Sequence, residues 1–403
     1  MEKKCLILGA AKSGIAAANF LLSLNKKIIL VDKDTSKDEI KIFKDIEIFK
    51  DDADIDFEKI EIVILSPGIS SEHKLVKEAN KNLVEVIGEI ELGVRFIKNR
   101  VIAITGTKGK TTLTSLITHI LNFSNIKAKA LGNIGEPLTK YLLNWDIEDT
   151  IVLELSSFQI ESLKKRFIDI AVIINIMPDH LDRYESFEEY KKAKIKIIEH
   201  LKDDGILYTT DEVLKFLNIK NVKIVDEELN LIAKKICLDL KVDKVMIDNA
   251  IKTFIRPKHR MEFILEIDGV KFYNDSKSTN IESTIYAVNL LKENIILIAG
   301  GVDKKLNFDK WKSAFKSRVK KIFALGEVAN VIKKELENFD VEICFSLKEA
   351  VEKAFFFADK KDSVLLSPGT SSYDMFKDFE HRGNEFKKIV NNLKGDRCLE
   401  EIL

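Results

Sequence analysis

Val101-Ile102-Ala103-Ile104-Thr105-Gly106-Thr107-Lys108-Gly109-Lys110-Thr111-Thr112 runs an apolar, β-branched strand straight into a glycine loop and then into a helical pattern. A loop of this kind turns successive backbone N–H groups inward, where they meet phosphate oxygens at a helix N-terminus. Lys110 can reach the outer phosphates of a nucleoside triphosphate, and Thr111 can offer its hydroxyl to Mg²⁺. The Gly-x-x-Gly-Lys-Thr spacing is two residues shorter than the general P-loop. Gly106, Thr107, Lys108, Gly109, Lys110, Thr111 and Thr112 are therefore expected to bind ATP.

At 403 residues the chain exceeds one ordinary core and suits two or three domains. With 45% hydrophobic and 32% charged residues it has the balance of a globular protein. Lys plus Arg and Asp plus Glu both number 65, so no global field draws the chain towards nucleic acid or membrane. Phosphate binding must be local. Cys5, Cys237, Cys344 and Cys398 lie far apart and form no C-x-x-C pair, which suits reduced thiols better than a disulfide framework or a zinc site. No apolar run approaches the roughly 18 residues of a membrane span. A cytoplasmic protein, working on small molecules as a monomer, is the expectation.

Outward from the opening stretch, short apolar runs alternate with helical or polar segments, the grammar of α/β folds. Cys5–Leu8, Ile28–Val31 and Ile62–Leu65 make a first set. Val101 starts a second, continued by Ile151–Leu153 and Ala171–Ile174. Near Met261 begins a third, with Phe263–Ile267, Val270–Tyr273, Ile295–Ala299, Ile322–Leu325 and Val364–Leu366. Boundaries are expected near residue 98 and at Arg256-Pro257, where proline favours a linker.

Polar clusters end many of these strands. Gly9-Ala10-Ala11-Lys12-Ser13-Gly14, with Asp32 closing the next strand, resembles a dinucleotide turn lacking its middle glycine. The Ala11 methyl disfavours NAD but leaves room for a sugar-nucleotide diphosphate. Ser66-Pro67-Gly68 closes the third strand. Glu154 follows Ile151–Leu153, and an acid at that place commonly holds Mg²⁺ near a phosphate loop. Met177-Pro178-Asp179-His180-Leu181-Asp182-Arg183-Tyr184 sets one of only six histidines beside two aspartates, a pattern that favours metal or phosphate contact. Arg256–Arg260, Asn274–Asn280, Gly300–Lys304 and Ser367–Tyr373 cluster on strand ends of the third set, as a substrate face would.

With TGTKGKTT, ELSSFQ, PDHLDRY, KHRMEF, NDSKSTN, AGGVDK and SPGTSSYDMFKDFEHRGNEF in that order, the chain resembles the Mur ligases over nearly its whole length. Its last motif resembles the branch that takes D-glutamate. The resemblance implies an α/β protein of three domains: a Rossmann-like UDP-binding domain over 1–98, a shortened P-loop ATPase domain over 99–256, and a Rossmann-like C-terminal domain over 257–403. It implies ATP-driven amide formation between UDP-MurNAc-L-Ala and D-glutamate through an acyl phosphate, in peptidoglycan precursor synthesis. Lys110, His180 and Lys194 would be catalytic. Thr111, Glu154, His180 and a carbamylated Lys194 would hold Mg²⁺. Ser13, Asp32, Lys33, Gly68, Asn133 and Ser157 would contact the nucleotide sugar. Asn230, His259, Arg260 and Asp275 would contact ATP, and Lys277, Thr279, Lys304, Ser372 and Phe379 the amino acid.

Three departures from the family pattern stand out. Lys108 replaces a usual asparagine, the interval from His180 to Arg256 is short, and the family's adenine motif is reduced to Glu228-Leu229-Asn230. Two other readings remain open at this point. A folylpolyglutamate-synthase-like ligase shares the ATP chemistry without the UDP-binding turns, and a regulatory nucleotide-binding protein would lack the catalysis.

Overall fold

The computed structural model describes residues 3–400 apart from 44, 45, 71, 180–182, 218, 220, 227 and 317, with the side chains of 394–400 left aside. The chain forms two compact units, residues 1–254 and 255–403. The first contains two sheets, the second one.

β1 (Lys4–Leu8), β2 (Ile28–Asp32), β3 (Glu47–Lys50), β4 (Ile60–Leu65) and β5 (Glu85–Gly88) form a parallel sheet in the order β3-β2-β1-β4-β5. The apolar runs in β1 and β2 are buried along nearly their full length, as strands covered by helices on both faces must be. Because β1 has β2 on one side and β4 on the other, the turn after β1 opens at the crevice where such sheets take ligands.

The second sheet is built alike from β6 (Val101–Thr105), β7 (Ala128–Gly132), β8 (Thr150–Glu154), β9 (Ile168–Ile173), β10 (Leu201–Thr209) and β11 (Val222–Ile224), in the order β11-β10-β9-β6-β8-β7. β6 lies between β8 and β9, so the glycine loop leaves the sheet at its switch point. The helix Lys110–Phe123 then packs Leu113, Leu116, Ile117 and Ile120 against Ile102, Ile104 and Val152 of the sheet. Each such side chain contributes about 1.5–3 kcal/mol on full burial. That packing fixes where the helix N-terminus points. Helices Leu229–Asp239 and Lys244–Thr253 cover the same face.

The third sheet holds β12 (Glu262–Ile267), β13 (Val270–Asn274), β14 (Ile295–Gly300), β15 (Val319–Leu325), β16 (Val341–Ile343) and β17 (Ser363–Leu366), in the order β12-β13-β17-β14-β15-β16. β12 is antiparallel to β13, the turn at Asp268-Gly269 giving both residues positive φ. Through that hairpin the segment before β12 arrives at the same sheet edge as the loops after β13, β14 and β17.

The apolar runs named above fall in strands, Ile174 lying one residue past β9, yet β3, β5, β7, β10, β11 and β16 are not announced by such runs. β3 is an exposed or half-exposed edge strand, β16 has three residues, and Asp203-Asp204-Gly205 interrupts the apolar pattern of β10. Glu154 is the last residue of its strand rather than the first after it.

Candidate active site

The phosphate loop takes its shape from two glycines and one asparagine. Gly106 has φ +153°, and Gly109 caps the Lys110–Phe123 helix at φ +85°, both conformations that L side chains rarely adopt. Asn175, just past β9, accepts the Thr107 and Lys108 N–H groups on its side-chain oxygen at 3.0 and 2.9 Å. The Thr107 hydroxyl donates to the Met177 carbonyl at 3.2 Å and accepts from the Met177 N–H at 2.9 Å. Lys110 Nζ donates to the carbonyls of Gly106 (2.7 Å) and Thr107 (2.9 Å), so its ammonium lies over the loop. Thr112 is buried in the first helical turn.

Two oxygens beside this loop stand out energetically. Thr111 Oγ1 in the first helical turn and Glu154 Oε2 at the end of β8 are buried with no hydrogen-bond partner among the described residues. Glu154 pairs in register with Ile104, two residues before Gly106, so the acid ends beside the root of the loop. Its other oxygen accepts from Asn133 Nδ2 at 2.8 Å. Buried polar atoms left unpaired are costly, and two hard oxygens next to a triphosphate loop suit Mg²⁺, which keeps most of its shell from phosphate and water. No cluster of three His, Cys, Asp or Glu occurs among the described residues. His180 lies outside the described residues.

Lys194, on the helix Phe187–Ile195, is only 2% exposed. Its Nζ donates to the Gly106 carbonyl at 2.9 Å and stands 4.7 Å from the Tyr190 ring centre. Burial foremost, then the Lys110 ammonium, pushes its pKa well below the ordinary lysine value. Lys108 Nζ approaches Asp179 Oδ2 at 3.7 Å. The loop is thus ringed by three lysines. Asn230 is exposed, with Nδ2 donating to Glu228 Oε1 at 3.3 Å, and its neighbour Leu229 lies against Gly109.

On the first sheet, the Gly9 turn (φ +90°) leads into the helix Lys12–Ser23, with Ser13 half-buried in its first turn. A Cβ on Gly14 would come within 1.9 Å of the Gly9 carbonyl. Asp32 accepts from Ala10 N (2.6 Å), Asp34 N (2.9 Å) and Lys37 Nζ (2.6 Å), so it orders the turn directly. Lys33 and Gly68 are exposed at the same sheet edge. The Ser66 hydroxyl donates to the Gly9 carbonyl at 2.6 Å. Asn133 projects from the loop after β7. Ser157 is 2% exposed, with its hydroxyl engaged by Tyr184. Its neighbour Ser156 caps the short helix in a reciprocal box with Gln159.

The second unit gathers its own polar edge. His259, 5% exposed at φ +60°, pairs its Nδ1 with Asn274 Nδ2 at 3.0 Å, and burial lowers its pKa. Asp275 accepts from Met261 N (3.1 Å), Ser278 Oγ (2.5 Å) and Ser367 Oγ (2.9 Å); its burial pushes the carboxyl up to about 6. Arg260 and Thr279 are half-buried. Lys277 Nζ lies 3.5 Å from the Phe379 ring centre, and Ser372 is 2% exposed. Lys304 is exposed on the loop after β14.

Reading the sequence did not single out Arg382, which is 1% exposed and donates to Ser276 Oγ (3.0 Å) and to the carbonyls of Ser276 (3.0 Å), Thr370 (3.2 Å) and Gly300 (3.4 Å). One guanidinium therefore ties together the loops after β13, β14 and β17.

Comparison with known proteins follows the same three-part order. Residues 3–88 match the MurD-like N-terminal domain of Mur ligases, residues 104–269 the Mur ligase middle domain, and residues 259–369 the glutamate ligase domain. The chain is 41% identical to a UDP-N-acetylmuramoylalanine–D-glutamate ligase of Protochlamydia amoebophila, covering 97% of this chain and 98% of that one. It is 38% identical to the enzyme of that name from Caldanaerobacter subterraneus, covering 98% and 99%. Among solved structures, a UDP-N-acetylmuramate–alanine ligase from Thermotoga maritima shares the fold at a TM-score of 0.60 and 15% identity, over 98% of this chain and 99% of that one. A MurF ligase from the same organism, in complex with ADP, does so at 0.57 and 14%, over 91% and 95%. Nearly full-length identity of this order, with all three domain types in sequence, means that the chain belongs to the Mur ligase family.

Proposed function

We propose that the protein joins D-glutamate to UDP-MurNAc-L-Ala at the expense of ATP, a step of peptidoglycan precursor synthesis. The observation that carries this reading is the pairing of Lys110 with two buried, unpartnered oxygens, Thr111 Oγ1 and Glu154 Oε2, around one glycine loop. Near full-length similarity to relatives named for that ligation supports the choice of substrates.

The chemistry explains why the parts are needed. A carboxylate attacking a γ-phosphate is anion on anion, and Mg²⁺ supplies the charge neutralisation that lets the two approach. Thr111 and Glu154 would hold it, with Lys194 and His180 proposed for a second ion. Lys110, released from the loop carbonyls, would stabilise charge on the transferring phosphoryl group. Asn175 keeps the loop N–H groups Thr107 and Lys108 in place, with Gly106, Gly109 and Thr112 completing the cradle. An acyl phosphate forms, the amine of D-glutamate attacks its carbonyl, and phosphate leaves.

Residues 1–98 serve in this proposal as the nucleotide-sugar domain, through Ser13, Asp32, Lys33, Gly68, Asn133 and Ser157. Residues 99–256 form the ATP domain, with Asn230 towards the base. Within residues 257–403, His259, Arg260 and Asp275 are the proposed ATP contacts, and Lys277, Thr279, Lys304, Ser372 and Phe379 the proposed amino-acid contacts. No helix among the described residues is long and apolar enough to cross a membrane; a cytoplasmic monomer is our reading, and sedimentation of the purified chain tests its assembly. The decisive assay is phosphate release from ATP and Mg²⁺ with UDP-MurNAc-L-Ala, with and without D-glutamate. Release that depends on both substrates is expected. Equal release with L-alanine or a diamino acid in place of D-glutamate would overturn the acceptor.

A further inference from the structure

The loop after β7 crosses directly over the end of β8. Gly132 makes the crossing possible: at φ +98°, a Cβ there would come within 2.4 Å of the Glu154 carbonyl oxygen. Asn133 then grips Glu154 twice, its own N–H donating to the Glu154 carbonyl at 3.0 Å and its Nδ2 to Glu154 Oε1 at 2.8 Å. Glu154 is wholly buried, and its Oε2 has no partner among the described residues. Two further contacts tie down the loop and the short helix Leu138–Tyr141 that follows it. The Lys12 ammonium, at the start of the helix after β1, donates to the Gly135 carbonyl. Thr139 donates its N–H (2.6 Å) and hydroxyl (2.7 Å) to the buried carboxylate of Glu89.

We infer that Asn133 is a positioning residue for the metal-binding carboxylate: by occupying Oε1 and the carbonyl of Glu154, it leaves Oε2 as the one oxygen offered to Mg²⁺. A carboxylate on a buried strand end can turn about its last bonds, and an amide held by a rigid loop removes that freedom. Since the loop is also tied to the turn of the first sheet, the groups proposed to hold nucleotide sugar and metal share one short segment. The inference rests on the proposed role of Glu154 and adds to Asn133 a function separate from any sugar contact.

The test is Mn²⁺ binding to the full-length protein with a non-hydrolysable ATP analogue, followed by electron paramagnetic resonance. Four proteins are compared: wild type, Asn133→Ala, Glu154→Gln and the double variant. Asn133→Ala is expected to weaken Mn²⁺ by about tenfold or more, the usual effect of removing a group that orients a ligand, with metal-free analogue affinity unchanged. In the Glu154→Gln background the same substitution is expected to have no further effect, because Asn133 acts through Glu154. Wild-type affinity in Asn133→Ala, or an equal loss in both backgrounds, overturns the positioning role alone. A Glu154→Gln protein that binds Mn²⁺ as the wild type does overturns the metal site itself, and this inference with it. Circular dichroism melting of each variant separates these results from misfolding.

Discussion

Replacing Thr111 by valine should make the protein more stable and a poorer enzyme. The hydroxyl is buried without a partner among the described residues, in a helical turn fixed by the packing of Leu113 and Leu116. An unsatisfied buried hydroxyl costs the fold roughly 1–3 kcal/mol. Valine keeps the shape and β-branching and removes the polar atom, so the ligand-free first unit is expected to gain about 1–2 kcal/mol. The opposite sign is expected for metal. Loss of one of the two unpartnered oxygens should weaken Mg²⁺–nucleotide by at least the ~10–100-fold seen when groups that merely orient ligands are removed. Hydrogen exchange of peptides over Val101–Thr105 in graded urea measures the first effect, and calorimetric titration with Mg²⁺ and an ATP analogue the second. A Thr111→Val protein that is less stable without ligand, or that binds Mg²⁺–nucleotide like the wild type, would falsify the claim that this hydroxyl is held in reserve for a cation.

Lys110→Ala should reduce phosphate release by on the order of 10² or more and change unfolding in urea far less, since the half-buried Nζ donates to loop carbonyls at the surface of the fold rather than in its core; release within tenfold of wild type counts against a phosphate role. Lys194 should take up ¹³C-labelled bicarbonate as a carbamate visible by NMR, absent in Lys194→Ala, whose lost activity short carboxylates should partly restore; no labelled signal in the substrate-bound protein ends that reading. Asp275 has a folded pKa of about 6 against an ordinary value of 3.8, so the folded state binds the extra proton between these values. Its contribution is greatest below about pH 4 and is lost as pH rises through 6. Asp275→Asn should therefore flatten the fall in stability of the second unit between about pH 4 and 6, read by urea unfolding at several pH values, and an unchanged slope would assign it to other groups.

Much of the fold is legible because its central strands are buried on both faces and so are written as unbroken apolar runs. Ile102, Ile104, Val172 and Leu297 could sit nowhere else. The loops at their ends are legible for a different reason: glycines with positive φ, such as Gly106 and Gly109, are punctuation that the local chain requires. Illegible were the contacts between segments distant in sequence. Nothing in Gly-Asn-Ile-Gly at 132–135 indicates that its asparagine grips a glutamate twenty-one residues later. Arg382 lies inside a quoted motif, but its burial emerges only when the carbonyls of three loops surround it. The edge strands β3 and β16 escape because edges need no apolar run.

The lysines around the loop show how the site's charges can be mutually consistent. Lys108 and Lys110 both disfavour the charge on Lys194, opposed by Asp179 and Glu154. Of the three, Lys194 is the most deeply buried, and its amine donates to the Gly106 carbonyl and faces the Tyr190 ring. Burial there disfavours the ammonium, and a neutral amine is the form that adds CO₂. Addition would change Lys194 from a cation to an anion beside two remaining lysines, replacing like-charge repulsion by attraction. It would also supply an oxygen donor of the kind Mg²⁺ selects. On the proposed mechanism, the burial that disfavours the Lys194 ammonium would prepare that amine to become a ligand, while Lys110, half-buried over the loop, would meet phosphate. On that reading, chemically identical side chains would receive opposite tasks chiefly from their depth in the fold.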